Sequence, residues 1–264
     1  LAISLIGSGI NLIASEHIVP EYYRKRKLEY FFINLTSFLI TRFTIVSHQA
    51  KNKFSYFIRR KMVVLQNPIV IPKLSSTNKY SKSDLQILSI GRLTEQKDHS
   101  SLIEAFALVK NELRDWKLTI IGEGHLRADL EKLIKDLNIE DRVSLPGITK
   151  NIEKFYLNSD IFIIPSKFES FGLVTAEAMA YSLPVIGFSD CIGTNKLITN
   201  DLTGYLVQPE ENRVLSLKRA MLKLMKSKSK RLKFGEAGRK KINLYYSTST
   251  ITDKWEEFLK KNIK

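Results

Sequence analysis

From residue 85 onward, two kinds of apolar pattern alternate along the chain. Short runs rich in β-branched and other apolar residues read as strands: "LQILSIG" (85–91), "WKLTIIG" (116–122), "RVSLPG" (142–147), "DIFIIPS" (160–166), "PVIGF" (184–188) and "GYLVQP" (204–209). Between them lie stretches of helical period: "SLIEAFALVKNEL" (101–113), "LRADLEKLIKDL" (126–137), "IEKFYLNS" (152–159) and "LVTAEAMAYS" (173–182). In the second of these, Leu126, Leu130, Leu133, Ile134 and Leu137 share one face. Strands separated by helices imply a parallel sheet covered on both faces. Right-handed crossovers then predict a doubly wound α/β domain.

Before residue 72 the same pattern returns, but incompletely. "NLIASEH" (11–17) reads as a strand and its exit, "YRKRKLEYFFINLTSFLITR" (23–42) as a helix, and "FTIVS" (43–47) and "KMVVLQNPIV" (61–70) as strands. Such a domain usually needs about 100 residues or more, so its early strands are expected to be missing. The polar, Ser-rich "PKLSSTNKYSKSD" (72–84) reads as a linker. The predicted organisation is a partial N-terminal Rossmann-like domain (1–71), a linker (72–83), a complete C-terminal Rossmann-like domain (84–245) and a final helix (246–264).

Composition narrows the class. A hydrophobic content of 44% over 264 residues is that of a globular protein. The single cysteine, Cys191, rules out an internal disulfide framework and fits a reducing compartment. The opening "LAISLIGSGINLIAS" is apolar, but it has no basic leader and is too short to span a bilayer. With no initiator Met, the chain reads as though it begins inside a domain. The net charge is +15, unevenly spread. Residues 1–83 hold 13 basic and 3 acidic side chains, residues 84–210 hold 13 and 19, and residues 211–264 hold 16 and 5. A uniformly Lys-rich composition would not leave the centre acidic. Basic ends point to an anionic surface, and lipid head groups offer very roughly 1 kcal/mol per basic residue near the surface. Nucleic acid is disfavoured, because no stacking aromatics or sheet platform are evident.

Ligands of doubly wound sheets sit beyond the carboxyl ends of the strands, which directs attention to three loops. In "GRLTEQKDH" (91–99), Gly91 lets the backbone come close to a ligand, and Arg92 with Lys97 suits a diphosphate. Taken alone, they read more simply as two solvated surface cations. In "IGEGHLRADL" (121–130), Gly122 and Gly124 match two positions of a dinucleotide fingerprint, but Arg127 stands at the third, which disfavours a nicotinamide enzyme. In "SKFESFGLVTAEAMAYSLPV" (166–185), a helix starting near Phe171–Leu173 offers its free N–H groups to an anion. Glu169 precedes that helix and Glu177 falls in its second turn. A carboxylate beside a phosphate seat is better suited to accepting hydrogen bonds from sugar hydroxyls. On spacing alone Glu177 reads more simply as an ordinary favourable charge near a helix start.

Taken together, "SIGRLTEQKDHSSLIEAF", "LTIIGEGHLRADLEKL", "RVSLPGITKNIEKFYLNSDIFIIPSKFESFGLVTAEAMAYSLPV" and "NDLTGYLV", in this order and at these spacings, resemble the retaining GT-B glycosyltransferases of the group 1, or family 4, class. The likeness covers residues 84–264 well and 12–70 loosely. It implies two Rossmann-like domains, the first incomplete here, and sugar transfer from a UDP- or GDP-linked donor to a glycan or lipid-linked acceptor with retained configuration. It implies no metal and no cofactor. Arg92 and Lys97 would neutralise the donor diphosphate, and Glu169 would bind hydroxyls of the transferred sugar. The backbone of Phe171, Gly172 and Leu173 would contact phosphate and sugar, Glu177 would hold the ribose, and the base would rest near Gly147, Ile148 and Thr149. Gly91 and Gly124 complete the expected donor site. His17 of "SEH" is the counterpart of a His near the donor sugar; it is equally a strand-end His satisfied by backbone. Trp255 and Leu259 of the last helix would pack on the first domain. The sequence departs from the family pattern at Ser182, where a Gly is usual, and at Lys196, near a usual Glu. The expected location is cytoplasmic and peripheral on the membrane's cytoplasmic face. The alternatives are a non-catalytic nucleotide-sugar-binding fragment and a GT-B epimerase or phosphorylase.

Overall fold

The computed structural model describes residues 10–17, 27–74, 85–110, 112–209 and 212–262. The chain forms two compact units, Leu1–Pro68 with Tyr245–Lys264, and Ile69–Leu244. The greater part of the predicted linker, from residue 75 on, lies outside the described residues, as do residues 22–26 of the basic stretch before the first helix.

The first unit carries a parallel sheet of β1 (Ile13–Glu16), β2 (Arg42–Ile45) and β3 (Met62–Val64), in that order. Its helices are α1 (Lys27–Thr36), α2 (His48–Lys51), α3 (Tyr56–Arg59) and the last helix of the chain, α11 (Thr248–Asn262). Strand β2 ends where Ser47 turns out to cap α2, its hydroxyl accepting the Ala50 N–H at 3.1 Å. The core is Phe43, Ile45, Ala50, Phe54, Ile58 and Met62. On α11 the buried residues are Ile251 and Phe258. The expected Trp255 and Leu259 are only half-buried, with Trp255 set edge-on to Phe258. The helical period places Phe258, three residues after Trp255 and seven after Ile251, at the centre of the inner face.

The second unit alternates strand and helix: β4 (Leu85–Ile90), α4 (His99–Ala107), β5 (Trp116–Ile121), α5 (Arg127–Asp136), β6 (Val143–Gly147), α6 (Ile152–Leu157), β7 (Ile161–Ile164), α7 (Leu173–Ala180), β8 (Val185–Phe188), α8 (Thr194–Leu197) and β9 (Gly204–Val207). Helices α9 (Arg213–Met225) and α10 (Lys228–Tyr246) follow. The sheet is parallel throughout, in the order β6-β5-β4-β7-β8-β9. Helix α4 stops at Ala107, short of the predicted Leu113. Strands β4, β7 and β8 turn Ile87, Ile161, Ile163, Ile186 and Phe188 inward against Leu102, Ile103 and Phe106 of α4, and Trp116 is almost wholly enclosed.

The chain lays down β4, β5 and β6 in one direction, then returns to the other side of β4 and continues through β7, β8 and β9. Crossovers on the two sides of β4 and β7 therefore leave toward opposite faces. The loops that follow these two strands therefore flank the point where the strand order reverses, the place where open α/β sheets form their ligand crevice.

Candidate functional site

The two loops at that crevice, 91–98 after β4 and 165–172 after β7, carry Lys97 and Glu169. The side chains meet across it, Lys97 Nζ lying 2.5 Å from Glu169 Oε1, with only 13% and 12% of the side chains exposed. Ser166 donates its hydroxyl to the same carboxylate oxygen at 2.8 Å. The loops are cross-tied by Gln96, whose carbonyl accepts the Lys167 N–H at 2.8 Å and whose side-chain amide donates to Phe168 O at 2.9 Å. Arg213 at the start of α9 completes the clamp, reaching Asp98 Oδ2 and Pro165 O, each at 2.9 Å, while its guanidinium lies over the Phe188 ring. A positive charge held between the loops opposes their separation.

Glycines set how closely the loops pack. A Cβ on Gly122, where φ is 147°, would fall 2.0 Å from Gly91 O. One on Gly124 would fall 2.3 Å from Leu93 O. The missing side chains at 122 and 124 thus admit the 91–98 loop itself. The stem of Lys97 crosses Gly91, its Cδ 3.1 Å from a Cβ position there, and this crossing delivers the ammonium to Glu169. Arg92, on the same loop, is exposed.

Gly172 opens α7 in the left-handed region, at φ 86°. Its carbonyl accepts the N–H groups of both Thr175 and Ala176, which leaves the N–H groups of Leu173 and Val174 at the positive end of the helix dipole without an intrahelical acceptor. Phe171 and Gly172 are buried, whereas Leu173 is exposed. A Cβ on Gly172 would meet Thr194 Oγ1 at 2.8 Å, and one on Gly193 would meet Glu169 O at 2.7 Å. The loop before α8 is therefore pressed onto the Glu169 loop, and the Glu169 N–H donates to Ile192 O.

Glu177 lies in the second turn of α7, half-buried, and accepts the Tyr156 hydroxyl at 2.8 Å. Burial raises its pKa above the usual carboxylate value, and the Tyr156 hydrogen bond works in the opposite direction. Tyr156 stacks on Tyr181, with centroids 5.0 Å apart. Burial pushes the Tyr181 phenol up to about 12, and burial with the neighbouring Glu177 raises that of Tyr156. The helix ends in a Schellman turn, with Leu183 N–H on Ala178 O and Ser182 N–H on Met179 O. Ser182 therefore adopts the left-handed φ of 58° that glycine would take without strain.

At the end of β6, Gly147 has φ 82°, and Glu123 Oε1 stands 2.7 Å from its Cβ position. Arg127 orients Glu123 through a bond from Nη2 of 2.7 Å and donates to Leu145 O at 3.0 Å. Ile148 is 78% exposed, and Thr149 Oγ1 accepts the Asn151 N–H. His17 belongs to the first unit, where it follows β1, exposed and 3.1 Å from Ser15 Oγ.

Sequence reasoning did not single out Gln96, His99, Tyr156, Ser166 or Arg213. His99 is buried, and its pKa falls to about 4 through loss of hydration. Ser166 falls within the quoted "SKFES", a signal that could have been read. Tyr156 and Arg213 lie 21 and 48 residues from the partners they meet here, Glu177 and Pro165, and nothing local marks them. Among the described residues no three His, Cys, Asp or Glu side chains gather as a metal site.

The family model for glycosyl transferases group 1 matches residues 71–241. Among curated proteins, the amylovoran biosynthesis glycosyltransferase AmsD of Erwinia amylovora is 26% identical over 94% of this chain and 70% of its own length. An N-acetylgalactosamine-N,N'-diacetylbacillosaminyl-diphospho-undecaprenol 4-alpha-N-acetylgalactosaminyltransferase of Campylobacter jejuni is 35% identical over 62% of this chain and 45% of its own length. The structure of a TarM mutant from S. aureus, with fondaparinux, alpha-GlcNAc-glycerol and UDP, superposes at TM-score 0.77, with 25% identity over 88% of this chain and 46% of that one. Anabaena HepE with UDP and glucose superposes at TM-score 0.85, with 20% identity over 98% of this chain and 74% of that one. The fold is that of GT-B enzymes, and the chain spans about half the length of the Campylobacter enzyme and of TarM.

Proposed function

The chain belongs to the glycosyl transferases of group 1, and from that premise we propose that it transfers a sugar from a nucleotide-sugar donor to a glycan or lipid-linked acceptor, with retained configuration and without a metal ion. The observation that carries this reading is the meeting of Lys97 and Glu169 across the β4/β7 crevice, beside the open N-terminus of α7. The donor diphosphate would lie along that N-terminus and draw Lys97, with Arg92, onto its oxygens. Charge on the diphosphate grows as the glycosidic bond breaks, and preset cations and N–H groups stabilise that growth more than they stabilise bound substrate. Glu169 would take hydroxyls of the transferred sugar, Glu177 those of the ribose, and Gly147, Ile148 and Thr149 would flank the base.

Retention fits attack on the face the diphosphate leaves, with the leaving phosphate accepting the acceptor's proton. TarM and HepE were solved with UDP, which supports a uridine nucleotide here as well. The diphospho-undecaprenol in the Campylobacter enzyme's name supports a lipid-linked acceptor here, and the basic ends of the chain favour a place at the cytoplasmic face of a membrane. The test is a panel of UDP- and GDP-sugars screened by thermal shift, followed by product analysis with and without EDTA. Stabilisation by one donor, and a retained linkage formed equally in EDTA, are expected. Loss of transfer in EDTA refutes the metal-free mechanism. Donor binding without transfer or hydrolysis would favour a nucleotide-sugar-binding chain, the reading suggested by its short coverage of its relatives.

A further inference from the structure

The outer edge of the second unit's sheet carries a cavity that has no part in that reaction. Strand β9 ends the sheet, and helix α9 packs against it. Between them lies a cavity of about 330 Å³. Strand β9 stands two strands beyond β7, which places this cavity roughly 10 Å to the side of the crevice. Ser216, Arg219 and Lys223 of α9 line one wall. Their spacing of three and four residues sets them on one face of the helix. Asn200, Asp201 and Gln208, from the turn before β9 and the chain just after it, line the other.

These walls are rich in hydrogen-bond donors. Asn200 Oδ1 accepts the Leu206 N–H at 2.9 Å, and Gln208 Oε1 accepts the Ser189 hydroxyl at 2.7 Å. Each amide thus engages its oxygen within the protein and keeps its NH2 group as a donor. Ser216 is only 5% exposed, and its buried hydroxyl has no hydrogen-bond partner in the protein, a state that costs stability until a ligand relieves it. Arg219 brings a planar fork of donors and Lys223 a compact charge. The Lys223 ammonium lies 5.4 Å from the centre of the Tyr205 ring, which holds it in place, and the Tyr205 hydroxyl accepts from Lys230 at 3.2 Å. Among the described residues of the walls, these two cations stand against one acid, Asp201. A neutral sugar would need acceptors that both amides have already engaged. Phosphate oxygens are acceptors only, and they carry the matching charge. We propose that the cavity between β9 and α9 binds a phosphate group, as an ester or as the free ion, at a site separate from the nucleotide crevice. The inference does not depend on the proposed transfer reaction.

The test titrates the full chain with inorganic phosphate and with glycerol 3-phosphate at constant ionic strength, following backbone amide resonances. Saturable shifts are expected at Leu206, Gln208 and residues 216–223. The double variant Arg219→Gln/Lys223→Gln should bind about tenfold or more weakly, with its UDP affinity by calorimetry unchanged. Asp201→Asn removes the opposing charge and should bind phosphate about threefold more tightly. Asn tolerates the left-handed φ of 61° at this position, and a gain in affinity cannot come from a damaged fold. Tighter binding of glycerol 3-phosphate identifies an ester-borne phosphate as the ligand, and tighter binding of inorganic phosphate identifies the free ion. Shifts that never saturate, or that chloride at the same ionic strength reproduces, would overturn the proposal. So would undiminished binding by the double variant, or binding by Asp201→Asn no tighter than wild type.

Discussion

Substituting Glu169→Gln separates the two jobs assigned to the crevice. The Lys97 ammonium and the Glu169 carboxylate lie 2.5 Å apart and are largely enclosed. At an effective dielectric of about 20, such a contact is worth roughly 7 kcal/mol before desolvation offsets most of it. An incoming diphosphate must draw Lys97 away from this partner. Gln keeps an oxygen that accepts from Lys97 and from Ser166, so the loops stay tied, but the competing negative charge is gone. UDP alone should therefore bind more tightly, by about 1.4 kcal/mol or tenfold. Transfer should move the opposite way. The sugar loses a charged hydrogen-bond acceptor worth about 1.5–3 kcal/mol, which is roughly ten- to a hundredfold in turnover. Calorimetric titration with UDP and with the donor, beside a turnover assay, reads both effects. Lys97→Met is the reciprocal control and should weaken UDP itself. If Glu169→Gln weakened UDP as much as it weakened the donor, Glu169 would be positioning Lys97, and the division between sugar and phosphate would be wrong.

Three further outcomes follow from the same geometry. Glu177→Gln should raise the melting temperature at neutral pH while weakening nucleotide binding. Burial has raised the native pKa of Glu177, so its ionised form is the costly one; the gap should close as pH falls through that pKa, and an unchanged or lower melting temperature at neutral pH would refute it. His99 is held neutral with its pKa lowered from 6.5 to about 4. Its stabilising contribution is complete above pH 6.5 and is lost as pH falls toward about 4, on the order of 3 kcal/mol in all, and His99→Phe should flatten that limb of a urea-unfolding series. Gly172→Ala forces a Cβ to within 2.8 Å of Thr194 Oγ1 at a φ of 86°. It should cost about 1–3 kcal/mol and lower donor affinity, which denaturant titration and calorimetry would detect.

Much of the second unit was legible because its strands are short apolar runs and its helices keep their period. Each predicted strand from "LQILSIG" to "GYLVQP" corresponds to one of β4 to β9. Helix α10 was not legible. It is rich in Lys and carries Gly235 and Gly238 in its interior, where glycine reads as a break. Gly235 is there for packing, since a Cβ would fall 2.1 Å from Ser182 O. The expected sheet-edge residues were readable as a set from loop chemistry and family resemblance, but their pairing was not. Lys97 and Glu169 are 72 residues apart. Only the reversal of strand order between β4 and β7 brings them face to face, and sequence spacing carries no record of it. The bond from the Tyr156 hydroxyl to Glu177 was hidden as well, because it joins α6 to α7 across 21 residues with no local signal. On α1 the apolar spacing was visible, but which face the core would claim was not: Tyr30 and Ile33 turn inward while Leu28, Phe31 and Phe32 stay exposed.

The central claim is that a nucleotide diphosphate lies along the α7 N-terminus with its ribose on Glu177. It is tested most directly by calorimetric titration of wild type and Glu177→Ala with UDP and with 2',3'-dideoxy-UDP. If Glu177 holds the ribose hydroxyls, removing them or removing the carboxylate should weaken binding by similar amounts, and doing both should cost little more than either alone. Losses that simply add would place the ribose elsewhere and contradict the account.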